Sequence, residues 1–278
     1  MKHKKTVGFF KYLVIIILLI FLLFPILYQV ISSFKTLGQI YDPQMVLSIR
    51  NLSFITWEEA IVKQDFLNYF KNSLITSVVS TIFVLLFSIP AGFGLAKLKM
   101  SKRMRSNLSF EFLAMRMMPG IAIIIPIFVI YKHIGLLYTM PGLILIYIVF
   151  NIPLATWLLE GFFKEVPDEI IEAAKIDGSN SLAELTKIAL PIASPGVLAV
   201  GILTFIFIWN EYMFASVLTT SAVRTLPVWA AYTTYQHYII NFGMLSVSTT
   251  AMIIPVIIFA ILMQKYLVRG LSLGALKE

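Results

Sequence analysis

The chain has 278 residues, 59% of them hydrophobic and 13% charged, with a mean hydropathy of +0.89. Soluble domains carry roughly 45–50% apolar and 25% charged residues, so this composition excludes an ordinary water-soluble domain and fits an all-α polytopic membrane protein. The net charge of +8 is therefore read for topology rather than for nucleic-acid binding. No cysteine is present and His3, His133 and His237 lie far apart, so neither a thiol nucleophile nor a metal site is expected.

Apolar runs of about 20 residues cross a bilayer. The basic start, with Lys2, Lys4 and Lys5, precedes a run over residues 12–31 that is too long for a cleaved leader and lacks a small-residue cleavage site, so it reads as a retained first span. Residues 35–66 are mixed and polar, a loop with a short helix near 57–62. A second span covers about 69–96 and carries a stripe of Ser73, Thr76, Ser77, Ser80 and Thr81, residues that let helices approach closely. Residues 97–105 form a basic loop. The third span, about 108–131, is interrupted by Pro119, Gly120 and Pro126. The fourth covers about 141–163, with Asn151 and Pro153 inside it. Residues 164–190 are polar. The fifth span covers about 192–218, residues 219–242 form a loop rich in Thr and Tyr, and the sixth span covers about 244–266, with Pro255 inside it. The prolines break helical ladders and are candidate hinges.

Six spans place both termini on one side. That side holds fifteen basic residues and the opposite side six, with Arg116 left inside a span. The positive-inside rule puts both ends, residues 97–105 and residues 164–190 in the cytoplasm. The resulting division is 1–34 (N-terminus and first helix), 35–66 (extracytoplasmic loop), 67–266 (five-helix core) and 267–278 (cytoplasmic tail).

Residues 164–190 carry the most information. Pro167, Asp168 and Glu169 start a helix and Gly178 stops it. Ser181 and Glu184 form a capping box for a second helix, on which Leu182, Leu185 and Ile188 share a face. Mixed charges there suit docking on a protein rather than on anionic lipid. The order Glu172, Ala173, Ala174, Lys175, Ile176, Asp177, Gly178, followed by Ile188, Leu190 and Pro191, closely resembles the EAA loop of ABC importer permeases.

Arg116 to Gly120, Trp209 to Tyr212, Arg224 to Pro227 and the tail from Gln264 resemble further elements of MalG-like carbohydrate permeases, although position 278 is Glu where that tail often ends in Gly. The resemblance implies a MetI-like or MalG-like core preceded by one extra helix. It implies a coupling helix in which Glu172 contacts an ATP-binding subunit, Ala173 and Ala174 permit close approach, Gly178 makes the turn and Asp177 precedes it. The implied partners are a second permease subunit of the same family, two ATP-binding subunits (identical or different), an extracytoplasmic substrate-binding protein, a sugar and membrane lipid, with no nucleic acid and no cofactor. The chain lacks a phosphate-binding loop, so it is a transporter subunit and not the ATPase.

Ionisable groups in a span face a cavity or a partner. Glu111 and Arg116 form ion pairs with each other or with a neighbouring chain, or Arg116 lines the translocation path. Asn151, Asn210 and Glu211 either hold helices together or line that path. In the same resemblance, Tyr232, Tyr235, Gln236 and His237 dock the binding protein; they also fit an aromatic belt at the membrane interface. A permease for a non-sugar solute and an ion-coupled secondary transporter are the rival functions.

Overall fold

The computed structural model describes the backbone of residues 2–45, 48–236 and 239–274, and the side chains of 11–45, 48–234 and 240–262. Among the described residues the regular structure is helical except for a ladder of two strands of two residues each, β1 (Tyr235–Gln236) paired antiparallel with β2 (Ile239–Ile240). Five helices are long and apolar enough to cross a bilayer, and a bent helix pair, Lys102–Met117 with Gly120–Ile134, is apolar enough only when taken together. The expected all-α polytopic class is the observed one.

Two compact units divide the chain, Met1–Asn68 with Trp229–Pro255, and Tyr69–Val228 with Val256–Glu278. In the first, α1 (Lys2–Ser32) is followed by α2 (Leu37–Tyr41) and by α3 (Ile55–Glu58), which continues as a π turn over Glu59–Lys63. Thr36 and Gln39 make a reciprocal cap at α2. Aromatic rings hold this unit: Phe34 meets Phe54 edge-on at 5.2 Å, Trp57 meets Phe66 at 5.9 Å, and Phe66 meets Trp229 at 5.3 Å. The buried Lys35 ammonium donates to the Met45 carbonyl at 2.8 Å, which offsets the cost of removing that charge from water. From the same unit comes most of the last long helix's first half; that helix, α13, spans Phe242–Gly274.

The second unit is built on α4 (Phe66–Lys97), α5 (Lys102–Met117), α6 (Gly120–Ile134), α7 (Met140–Lys164), α8 (Asp168–Ile176), α9 (Ser181–Ala183), α10 (Leu190–Trp209) and α11 (Met213–Leu218), whereas most of α12 (Leu226–Thr234) belongs to the first unit. Both buried clusters of this unit draw on α7. One joins Ala155, Leu159 and Phe163 to Val84 and Phe93 of α4, Ile171 of α8 and Val200 of α10. The other joins Leu143, Ile146 and Tyr147 to Ile124 of α6, Ile208 of α10 and Phe214 of α11. The small-polar stripe of α4 packs inward: Ser73, Thr76, Ser77 and Ser80 are buried, and Ser80 donates to the Ile144 carbonyl of α7 at 3.4 Å.

Three expectations from the sequence are corrected. The third span is not one interrupted helix over 108–131 but two helices bent by 83°. Pro119 has no N–H and drives Met118 into an extended conformation (φ −62°, ψ 123°), which ends α5. The fifth span does not run over 192–218. It begins at Ser181, continues without interruption to Trp209 and stops there, the last nine residues of the expected span, 210–218, falling in a break and in α11. A π turn over Glu184–Ala189 makes the entry continuous: Leu190 donates to the carbonyl of Leu185, five residues back, just ahead of Pro191, which has no N–H to offer. Finally, Ser181 and Glu184 form no capping box. Asn180 is the cap, accepting the Ala183 N–H at 2.9 Å, and Glu184 is turned into the core at 2% exposure.

Helices α4 and α7 approach closely at Gly92. A Cβ there would lie 2.9 Å from the Leu159 Cβ, 3.0 Å from the Glu160 nitrogen and 3.1 Å from the Thr156 carbonyl oxygen, all rigid atoms. Gly92→Leu is expected to destabilise the chain by about 1–3 kcal/mol through overpacking, read as a lower thermal midpoint in detergent. Gly161→Ala, where nothing lies within 4 Å of an added Cβ, is expected to leave the midpoint unchanged.

Candidate coupling loop and translocation path

The segment between α7 and α10 is a short helix closed at both ends. Pro167 caps α8 and places Asp168 and Glu169 in its first turn, where acids complement the helix dipole. At the other end Ser179 donates to the Ala174 carbonyl at 3.0 Å and Gly178 to that of Lys175 at 3.1 Å, the bonding pattern of a Schellman motif. Gly178 sits at φ +82° with nothing within 4 Å of an added Cβ, so its requirement is backbone conformation and not space. Glu172, Ala173, Asp177 and Gly178 are exposed, and so is Ile176 at 87%. Ala174 is turned inward and buried beside Ile171. Of the two alanines, only Ala173 is on the outer surface. Leu182 is 68% exposed while Leu185 is buried, because the π turn rotates the expected apolar face out of register.

Ion pairs tie this loop to the long helices. Lys97, the last residue of α4, has a side chain only 4% exposed; its ammonium donates to Asp168 Oδ1 at 2.5 Å and to the Val166 carbonyl at 2.6 Å. Lys175, at the end of α8, lies 3.8 Å from the buried Glu184 carboxylate. Behind them, Glu160 of α7 pairs with Lys164 at 2.6 Å and accepts from Ser109 of α5 at 2.7 Å. Sequence reasoning missed Lys97, Glu160 and Glu184 as tie points. An apolar-flanked acid such as Glu160 near a span end was the available signal.

The candidate path residues meet around α7. Arg116 and Glu111 form no ion pair with each other among the described residues; five positions apart on one helix, they point in different directions, and Glu111 is exposed. Arg116 instead lies over the rings of Phe150 (4.5 Å) and Phe207 (5.6 Å) and donates to the Phe150 carbonyl at 3.3 Å. Glu211 fills the break between α10 and α11. It accepts the Phe214 N–H at 2.8 Å, the Ala215 N–H at 3.2 Å and the Tyr147 hydroxyl at 2.8 Å. Asn151 is buried and donates to the Tyr147 carbonyl within its own helix at 2.7 Å. Asn210 is exposed and donates to the Ile206 carbonyl at 2.8 Å. Phe150 meets Phe214 at 5.2 Å, and an added Cβ at Gly120 would run into Met213, so the α5–α6 elbow and the α10–α11 break are neighbours. Of the docking residues, Tyr232 is 63% exposed on α12; Tyr235 and Gln236 form β1, and His237 lies outside the described residues.

Two outcomes test this geometry. Gly178→Ala is expected to destabilise the α8 turn by about 1–2 kcal/mol, seen as faster amide exchange over residues 173–179 with the long helices unchanged. The hydrogen bond from Lys97, and after it the charge of Lys97, hold the Asp168 carboxyl below the usual carboxylate value. Because the folded value is the lower one, the stabilisation is complete above the ordinary value of about 3.9 and is lost as pH falls through the folded value. Carboxyl NMR is expected to show Asp168 titrating below that ordinary value, and returning towards it in Lys97→Met.

Comparison with known proteins agrees with this architecture. Residues 88–273 match the model of the binding-protein-dependent transport system inner membrane component. The chain is 31% identical to the inner membrane ABC transporter permease protein YcjP of Escherichia coli, over 99% of each chain. It is 32% identical to the trehalose transport system permease protein SugB of Mycobacterium tuberculosis, over 92% of each. It is 31% identical to the trehalose/maltose transport system permease protein MalG of Thermococcus litoralis, over 94% of each. Among solved structures, a bacterial ABC transporter involved in alginate import shares the fold with a TM-score of 0.77 at 23% identity, covering 96% of this chain and 98% of that one. The chain belongs to the family of binding-protein-dependent transport system inner membrane components and is a multi-pass permease subunit of an ABC importer.

Proposed function

We propose that this permease forms half of the route by which an ATP-driven importer carries an oligosaccharide across the cell membrane. The carbohydrate class is supported by the relatives that carry trehalose, maltose and diacetylchitobiose in their names. The observation that carries the coupling role is α8 itself: a helix closed by a Schellman turn at Gly178, exposing Glu172, Ala173, Asp177 and Ile176. Residues 164–190 receive an ATP-binding subunit, with Glu172 making the polar contact and Ala173 allowing close approach. Both termini are cytoplasmic. A second permease subunit completes the path, a pair of ATP-binding subunits drives it, and an extracytoplasmic protein that delivers the sugar docks through Tyr232, Tyr235, Gln236 and His237.

Arg116, Asn151, Asn210 and Glu211 form the wall of the path, with different tasks. Asn210, half-buried Arg116, and the exposed Phe207 and Tyr212 offer the donors and aromatic faces that suit a sugar. Asn151 and Glu211, spent on internal bonds, hold that wall in shape.

The assembled complex in proteoliposomes, assayed with a panel of labelled oligosaccharides, is expected to take up at least one of them in an ATP-dependent way. Gly178→Asp, strained at a positive φ and charged at the docking face, is expected to abolish that uptake. No bound ATP-binding subunit, or normal uptake with Gly178→Asp, contradicts the coupling role; uptake of a non-sugar solute alone contradicts the substrate class.

A further inference from the structure

We infer that Lys97 is a transmission residue, the link through which displacement of α8 is carried into α4 and so into the membrane-spanning bundle. This inference rests on the reading of α8 as the helix that an ATP-binding subunit moves.

The two ends of α8 are held differently. At its start, the Lys97 ammonium bridges two acceptors on either side of Pro167, the Val166 carbonyl at 2.6 Å and Asp168 Oδ1 at 2.5 Å, from a side chain 4% exposed. At its end, Lys175 is 39% exposed and stands 3.8 Å from Glu184. A charge-assisted bond at the first distance is strong and directional; a separation of 3.8 Å is a Coulomb attraction without a hydrogen bond. Pulling on α8 therefore draws α4 with it at one end, while the other end has room to slide against the helix that runs on to Trp209.

The partner of the tight end is suited to the task. Lys97 ends a 32-residue helix that crosses the bilayer, so a displacement of its tip is a displacement of the whole rod. Its apolar neighbours Phe93 and Ala96 pack in one cluster with Phe163, Val166 and Ile171, which fixes the geometry on both sides of the bond. The Phe93 and Phe163 rings meet edge-on at 5.7 Å. Position 97 also satisfies α4's own dipole, as Asp168 satisfies that of α8, so the pair joins two helix ends of opposite polarity. None of these contacts involves the outward residues Glu172, Ala173 and Asp177. Removing the link is therefore expected to leave docking of the ATP-binding subunit in place and to disconnect it from the bundle.

The whole complex is purified with Lys97→Met, Lys97→Arg, Asp168→Asn or Lys99→Met, and scored for retained ATP-binding subunit, ATP hydrolysis and solute moved per ATP. Lys97→Met is expected to keep the subunit and to lower solute moved per ATP by roughly 2- to 30-fold, the range of couplings carried by single residues. Lys97→Arg, which keeps the charge and the paired donors, is expected to restore the ratio. Asp168→Asn, at a side chain 76% exposed and so tolerant of change, is expected to lower it by less, because the Val166 bond survives. Lys99→Met, at an exposed neighbour, serves as the reference and is expected to behave as the parent chain. An unchanged ratio in Lys97→Met, or an equal fall in Lys99→Met, overturns the inference. Absence of the ATP-binding subunit from the parent complex instead overturns the coupling role on which it rests.

Discussion

Backbone inside a bilayer has no water to bond to, so every place where a helix stops must be closed by the protein itself. The second unit breaks off its apolar helices twice, at 118–119 and at 210–212. At the second break the Glu211 carboxylate collects two backbone N–H groups and a tyrosine hydroxyl. Beside the first, Arg116 is held by two aromatic rings and a carbonyl. Both closures depend on α7, which supplies Tyr147 to one and Phe150 to the other. The same helix contributes to both buried clusters and takes the close approach of α4 at Gly92.

That arrangement gives the molecule two kinds of surface within one unit. Around α7 the packing is dense, and its charges are matched with short bonds. On α8 and α9 the chain instead exposes Glu172, Ile176 and Leu182, acidic and apolar groups that no described residue covers. A permease without its own phosphate-binding loop needs both: a surface that receives work from another subunit, and a rigid interior that carries the work to the path. The ionic contacts between the two are few and are placed at the ends of helices, where a small movement of a short element becomes a rigid movement of a long one.

Much of this was legible in the sequence, and the failures have physical causes. Hydropathy and charge marked the apolar runs; Pro167 and Gly178 marked α8 because one fixes φ and the other permits a positive φ. Pro119 and Gly120 announced an interruption, but not its 83° angle or the approach of Met213 from α11 to Gly120. The Ser181 and Glu184 pair had capping-box spacing, yet Asn180 stands one residue earlier and took the role, freeing Glu184 to turn inward on the π turn. Glu111 on the same helix was one of several candidate partners for Arg116; the partners in the structure come from α7 and α10, more than thirty positions away, and no local pattern encodes them. Lys97 looked like one member of a basic loop. Only the fold distinguishes it from Lys99, by burying one and exposing the other.

The central claim is that the exposed face of α8 is where an ATP-binding subunit engages. The chain has no cysteine, so a single Ala173→Cys provides a unique attachment point for a photo-crosslinker on that face. In the assembled complex, illumination is predicted to join this chain to the ATP-binding subunit, with a yield that changes when ATP is added. Crosslinking only to the extracytoplasmic binding protein, or to no subunit while an attachment at exposed Lys99→Cys reaches the ATP-binding subunit, would contradict it.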